Sequence, residues 1–232
     1  VATVRAEPSR VWRVAPDPPG VTAARAALQT AIDAASAAGG GTVYIPEGTY
    51  KVVTAVAGTV SIVPKSKVRI LGAGVGRTIL MAYGNAQCFH NNTASSGSPI
   101  IDVEIGHLEI DGTNQSNGGV YVSSMKGIQI NYCKRHYYHD LYVHHCGATG
   151  VGSDYLYDST YERIIADYNG RLASTSDAGG SGIGIGTGVY TVENLVVRDC
   201  VTRNNGVHGV FWENQGGVES TGMSLVNHYT AN

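Results

Sequence analysis

Residues able to move protons recur at one kind of place in this sequence. Asp154 follows Gly150-Val151-Gly152-Ser153, Tyr155 comes next, His208 opens His208-Gly209-Val210-Phe211, and Glu213 stands two residues after that phenylalanine. A carboxyl and an imidazole can share general acid and base duties near neutral pH. Two carboxyls can instead divide the work of glycosidic hydrolysis. Lys134, Arg171 and Arg203 are cations that could meet an acidic substrate, and Tyr121 and Phe211 offer aromatic surface. Elimination next to a substrate carboxylate needs one cation on that carboxylate, a base at the adjacent carbon and an acid at the leaving oxygen. Here His208 would be the base and Tyr121 or Tyr155 the acid.

The elements that must position these groups are repeated phrases. Thr149-Gly150-Val151-Gly152, Ser181-Gly182-Ile183-Gly184-Ile185 and His208-Gly209-Val210-Phe211 each follow a β-branched strand running into a polar turn. Those strands are Leu141-Tyr142-Val143-His144-His145, Ile164-Ile165-Ala166-Asp167-Tyr168-Asn169-Gly170 and Leu195 through Gly206. Such recurrence signals a solenoid, in which each unit buries its apolar face only against the next. Alternation along a strand then puts Val120, Val122, Val151, Ile183, Ile185, Val210 and Trp212 inward. Two outer rows result, Ser123, Asp154, Gly186, Glu213 and Tyr121, Gly152, Gly184, Phe211. Two strand spacings put Asp154 and Glu213 roughly 9 to 10 Å apart, at the upper limit for an inverting carboxylate pair. Glycines between acids and aromatics describe a trough for an extended sugar chain.

Composition agrees with short strands and many turns. The 232 residues include 31 Gly and 14 Tyr, with 15% charged residues and a formal net charge of −2. No basic run marks a nucleic-acid partner, and no apolar stretch is long enough to cross a membrane as a helix. Cys88, Cys133, Cys146 and Cys200 lack paired zinc spacing and read as buried free thiols, with a disulfide as the alternative. The neighbours His144 and His145 face opposite ways on a strand, so no metal site is expected. No cofactor is expected either, with calcium the one ion left open.

Residues 1–20, rich in proline, read as a lead-in, and residues 21–232 as one β-helix domain. Thr22 is a candidate N-cap for a helix that carries Ala24, Leu28, Ala31, Ile32 and Ala35 on one face and stops at Gly39-Gly40-Gly41. An amphipathic helix there would cap the open end of the stack. Strands are expected at Thr42-Pro46, Val68-Leu71, Ile79-Met81, Ile100-Ile105, Leu108-Ile110, Val120-Val122 and Ile128-Ile130, separated by glycine turns. Connections too short for crossover helices make coiling the source of parallel neighbours. The fold class is therefore all-β, a right-handed parallel β-helix with an N-terminal capping α-helix. The loop from Arg171 to Gly180 would hang beside the trough as a cover.

Ala31-Ile32-Asp33-Ala34-Ala35 through Gly39-Gly40-Gly41-Thr42-Val43-Tyr44-Ile45-Pro46-Glu47-Gly48-Thr49-Tyr50, with Leu71-Gly72-Ala73-Gly74 and Leu108-Glu109-Ile110-Asp111-Gly112, resembles the pectate-lyase-like right-handed parallel β-helices. That superfamily holds lyases, hydrolases, epimerases and noncatalytic phage tail modules, so the resemblance implies a fold before a reaction. Gly150-Val151-Gly152-Ser153-Asp154-Tyr155-Leu156-Tyr157-Asp158-Ser159 and Asn204-Asn205-Gly206-Val207-His208-Gly209-Val210 resemble coils of the bacterial mannuronan C5-epimerases. Carried over, Asp154 matches a functional acid beside an alginate groove and His208 a groove histidine. That family's Asp-Pro-His-Glu motif would fall near Gly119-Val120-Tyr121-Val122-Ser123-Ser124, where neither Asp nor His stands. The expected function is cleavage or modification of a uronate-containing glycan by lyase-type elimination. The alternatives are a phage tail fibre or spike module that binds a host-surface glycan, and an inverting hydrolase using Asp154 and Glu213. The expected partner is a polysaccharide, the expected location extracellular or on a virion tail, and the expected assembly a homotrimer or a stack continued in a larger chain.

Overall fold

The computed structural model describes residues 10–14, 24–54, 61–85, 87–91, 94–174 and 179–231. Strand β1 (Val11–Arg13) precedes helix α1 (Arg25–Ala37), and the chain then runs through β2 (Gly41–Ile45), β3 (Gly48–Thr54), β4 (Val68–Gly72) and β5 (Thr78–Gly84). Next come β6 (Phe89–His90), β7 (Ile100–Ile101), β8 (Glu104–Asp111), β9 (Ile128–Gln129) and β10 (Cys133–Lys134). They are followed by β11 (Tyr137–His144), β12 (Val151–Asp154), β13 (Leu156–Tyr157), β14 (Thr160–Asp167) and β15 (Ile183–Thr187). The last are β16 (Val192–Arg198), β17 (Val201–Arg203), β18 (Val210–Asn214), β19 (Thr221–Val226) and β20 (Tyr229–Ala231).

These strands form three sheets whose neighbours all run parallel. The large sheet follows β1-β2-β4-β8-β11-β14-β16-β19, with β3, β5, β17 and β20 extending it; a five-stranded sheet follows β18-β15-β12-β9-β6 and a three-stranded sheet β13-β10-β7. From β8 to β14 the chain visits the large, five-stranded and three-stranded sheets in turn and returns one strand further along each time. Each repeat therefore lays its side chains in register on the one before, as in Leu108↔Leu141↔Ile164.

Apolar residues at alternating positions explain the core. Ile105, Leu108, Ile110, Leu141, Val143, Ile164, Ala166, Leu195 and Val197 from the large sheet are buried with Ile128, Val151, Ile183 and Ile185 from the five-stranded one. Full burial of one such Ile or Leu stabilises by about 1.5–3 kcal/mol. Helix α1 adds Leu28, Ile32 and Ala35 to the same cluster. Its N-cap is Ala24, which makes no side-chain cap; Thr22 lies outside the described residues. Gly41, at φ +152°, ends the glycine run where Trp12 packs so closely that no Cβ would fit.

The corner between the large and five-stranded sheets is stitched by buried amides. Asn169 Nδ2 donates to Val143 O at 2.9 Å, its Oδ1 accepts from Cys146 N at 3.2 Å, and Asn205 Oδ1 accepts from Asn169 N at 3.0 Å. Backbone groups that the turn strips from the ladder thus find partners without water.

Several expectations need correction. Val11–Arg13, in the lead-in, forms a strand paired with Thr42–Tyr44. Ile100–Ile105 divides into β7 and β8 on different sheets, and Gly106 lies inside β8 rather than at a turn. Residues 120–122 form no strand, and Val120 is 62% exposed instead of inward. The strand beside β12 is β9, with Ile128↔Val151 and Gln129↔Gly152. Val210 and Trp212 are half-buried at the rim of the core. The expectation of buried free thiols holds for all four cysteines.

Candidate functional site

The pairing of β9, β12, β15 and β18 sets two outward rows on the five-stranded sheet. One is Gln129, Gly152, Gly184, Phe211; the other contains Asp154, Gly186, Glu213. Tyr121, Ser123 and Lys126 reach the same place from the loop before β9, and Thr149 from the turn before β12. Together they line an open pocket of about 210 Å3 with Gln129, Asp154, Phe211, Glu213 and Gln215. The structure thus brings Asp154, Glu213, Tyr121 and Phe211 together, although Tyr121 arrives by a loop rather than a strand.

The glycines in these rows do not leave bare backbone for a ligand throughout. A Cβ on Gly152 would collide with Gln129 Oε1, and one on Gly186 would meet Asp154 Oδ1 at 2.5 Å. Each glycine makes room for a functional side chain lying across from the neighbouring strand. At Gly184 the nearest atom is the Thr149 methyl, at 3.3 Å.

A directed hydrogen-bond chain orients Asp154. Lys126 Nζ donates to Gln129 Oε1 at 2.7 Å, and Gln129 Nε2 donates to Asp154 Oδ2 at 2.9 Å and to Asn131 Oδ1 at 2.6 Å. Asn131 Oδ1 also accepts from the Asp154 backbone N–H at 3.1 Å, and Asn131 N donates to Asn91 Oδ1 at 2.7 Å. Burial raises the Asp154 pKa above the usual aspartate value and Glu213 adds to it, against the opposing pull of Lys126 and Gln129. Burial likewise lowers the Lys126 pKa, while Asp154 and Glu213 act to raise it. An acid pushed toward its neutral form beside an amine pushed toward its own is suited to proton exchange.

The other predicted residues lie around or away from the pocket. Tyr155, at φ +61°, turns the chain out of β12 and packs its ring on Tyr132 with centroids 4.8 Å apart. His208 is exposed and stacks on Phe211 with ring centroids 5.0 Å apart, outside the pocket lining. Three cations expected at the substrate sit elsewhere. Lys134 lies on the three-stranded sheet with Nζ 4.3 Å from the Tyr157 ring centroid. Arg171 donates to the carbonyls of His145, at 2.8 Å, Gly112, Thr113 and Gln115, holding a corner together. Arg203 pairs with buried Asp167 at 2.9 Å on the large sheet. Of the Arg171–Gly180 loop, residues 175–178 lie outside the described residues; Gly179 lines the pocket, and Thr149 Oγ1 donates to its carbonyl at 2.8 Å.

Lys126, Gln129, Asn131 and Gln215 were missed. The signal for them is the pairing itself: once β9 is the neighbour of β12, Gln129 falls beside Gly152 and Asn131 beside Asp154. The same register leaves residues 119–124 off the five-stranded sheet and puts the carboxamides of Gln129 and Asn131 beside Gly152 and Asp154.

In the pocket Lys126 is the cation nearest Asp154 and Glu213 among the lining residues. Among the described residues, His107, His139 and Asp140 on the large sheet bring donor atoms within 4.8 Å of one another. Asp140, however, already accepts two hydrogen bonds from Arg163, and both His139 nitrogens face carboxylates.

A family model described as "Rhamnogalacturonase A/epimerase, pectate lyase-like" matches residues 14–215. Mannuronan C5-epimerase AlgE4 of Azotobacter vinelandii is 32% identical over 186 residues, covering 66% of this chain and 33% of the epimerase. Alginate lyase 7 of the same organism is 28% identical over 175 residues, covering 62% of this chain and 20% of the lyase. The chain thus spans a third or less of the curated relatives it matches. Among solved structures, ORF18 of Geobacillus virus E2 superposes with a TM-score of 0.66 at 20% identity, covering 94% of this chain and 40% of that one.

Proposed function

The chain belongs to the rhamnogalacturonase A/epimerase, pectate lyase-like family, and on that footing we propose that it acts on an acidic polysaccharide laid across its five-stranded sheet. The three parallel sheets would close into a right-handed β-helix, with α1 covering its N-terminal end. The observation that carries this reading is the pocket in which Asp154, Lys126 and Glu213 meet between Tyr121 and Phe211. The relatives named for alginate chemistry, an epimerase and a lyase, support a uronate chain as the substrate.

The reaction we favour is β-elimination. Lys126 would face the uronate carboxylate and stabilise the charge that builds there as the C5–H bond weakens. Asp154, ionised, takes the C5 proton; its raised pKa makes it a stronger base than an ordinary aspartate. The electron pair of the C5–H bond forms the C4–C5 double bond, the C4–O bond breaks, and the Tyr121 hydroxyl protonates the departing oxygen. Asp154 thereby takes over the role first expected of His208, and Lys126 that of Lys134, Arg171 or Arg203. The same pair of acids would serve an inverting hydrolase, with Asp154 as proton donor and Glu213 activating water.

A second reading, binding without turnover, as in a virion module that grips a host glycan, is favoured by the carboxamides of Gln129 and Asn131. Either role would be carried out outside the cell. Incubation with alginate, pectate and bacterial capsule glycans separates these readings. Ultraviolet absorbance of unsaturated uronate, lost in Asp154→Asn, is the expected result. New reducing ends without absorbance indicate hydrolysis. Binding with neither signal identifies a binding module, and no binding to any of these glycans ends the polysaccharide reading.

A further inference from the structure

Outside the pocket, aromatic side chains continue around the next corner of the molecule. The register Ile101↔Lys134↔Tyr157 sets a column on the outer side of the three-stranded sheet, and the Tyr157 and Tyr190 ring centroids lie 5.3 Å apart. Beside them opens a groove of about 620 Å3, walled by Tyr157 and Tyr190, with Val189 and Val192 as apolar surface and Thr191 and Asn194 as polar groups. Val192 is 48% exposed in it. Lys134 makes no ion pair among the described residues, and its ammonium rests against the Tyr157 ring. The nearby Asp158 carboxylate is already engaged by the Asn194 amide at 2.8 Å.

We infer that this groove is a second binding site for the same acidic polysaccharide, holding a stretch of chain beyond the Asp154 pocket. The inference rests on the reading of the pocket as a polysaccharide site. Half-buried groove-lining rings such as Tyr157 and Tyr190 can pack against the C–H faces of sugars, a lysine without a carboxylate partner can take a uronate carboxylate, and Thr191 and Asn194 can bond hydroxyls. Continuity with the pocket selects this occupant. Asp154, Tyr155 and Tyr157 lie within about 10 Å of extended chain, and the Tyr132–Tyr155 ring pair bridges the corner between the two surfaces. A polymer long enough to cross that corner engages both sites at once and gains affinity through the linkage.

The test compares long alginate and pectate chains with short oligomers of each, by calorimetry, on the wild-type chain, on Lys134→Gln combined with Tyr190→Ala, and on Thr191→Glu. Thr191 is exposed, so its variant carries the test if the tyrosine variant unfolds at lower temperature. Both variants are expected to bind long chains about tenfold more weakly and short oligomers within twofold of wild type. Unchanged affinity for long chains in both variants overturns the second site. Equal weakening for short and long chains overturns it too, because the groove would then belong to the pocket. Loss of this second site leaves short-oligomer binding intact, whereas failure of the polysaccharide reading itself shows as no binding of any chain by the wild type, and ends both.

Discussion

Two outer faces of this protein carry dense polar arrays, and they treat charge in opposite ways. On the large sheet every carboxylate of the central array is matched: Glu104 accepts from Arg69 at 2.6 Å and faces His139 at 3.0 Å, Asp140 accepts from Arg163 at 2.8 Å and faces His139 at 2.7 Å, and Glu162 meets Arg198 at 3.0 Å. Burial works against ionised Glu104, yet hydrogen bonds from His139 and Arg69 outweigh it and hold the group to about 2. On the five-stranded sheet burial wins at Asp154, and its pKa rises. A matched lattice locks its protons in place, whereas an under-compensated carboxyl can give one up. The proposed reaction therefore draws on the second face, although the first holds more titratable groups.

The sharpest way to break this contrast is to neutralise one acid on each face. Asp154→Asn is expected to lower turnover of an acidic glycan at least about 100-fold, while Glu104→Gln stays within about twofold of wild type, both read by product absorbance or reducing ends. Comparable losses in the two variants would erase the distinction. Stability should respond in the reverse order. Glu104→Gln leaves buried His139 and the more exposed Arg69 short of a partner and is expected to cost about 1–2 kcal/mol in urea unfolding, against less than about 0.5 kcal/mol for Asp154→Asn.

The pH dependence sharpens the comparison further. Glu104 is depressed from 4.5 to about 2, so its contribution is present above pH 4.5 and fades as pH falls toward 2. Burial pulls the His139 pKa down, but hydrogen bonds to Glu104 and Asp140 raise it overall. Its contribution is full below pH 6.5 and is lost as pH rises through the raised value. Urea midpoints of His139→Gln should therefore lose the decline that wild type shows above pH 6.5. Asp154 has the opposite linkage to Glu104: its raised pKa favours folding below pH 3.8 and disfavours it as the group ionises. The finest readout is the pH profile of the activity that Lys126→Met retains, since loss of the cation facing the uronate carboxylate should itself lower turnover strongly. Removing the charge that lowers the Asp154 pKa should move the acid limb of activity to higher pH, and an unmoved limb would take Lys126 out of the site.

The parts of this arrangement legible in the sequence are those written in local pattern. Alternating β-branched residues marked β11, β14 and β16, and Gly-x-Gly phrases marked β12 and β15, because strand and turn chemistry is local. Asp154, Glu213 and Phe211 followed from that register. The error came where a local pattern had no partner: Gly119-Val120-Tyr121-Val122 imitates a strand phrase, but Ile128 and Ile130 have the buried positions beside β12. Long-range pairing decided between them, and with it went Lys126, Gln129 and Asn131. Arg171 and Arg203 were illegible for a related reason. A guanidinium looks alike in sequence whether it waits for a substrate or holds four carbonyls of its own chain.

The left-handed corners carry a consequence of another kind. Lys67, Asp102, Arg135 and Asp158, at φ 64°, 57°, 56° and 50°, stand at equivalent corners of successive repeats, as do His107, Asp140, Arg163 and Asp199 within the large sheet. Each such backbone costs about 1 kcal/mol, offset where neighbours share charge-assisted bonds, as Arg135 and Asp102 do at 2.6 Å. Base and acid alternate along both columns, which makes the stack sensitive to parity. Duplicating one repeat would set like charges side by side, while duplicating two would keep the alternation. Through this stretch the molecule can lengthen or shorten at low cost only by even numbers of repeats.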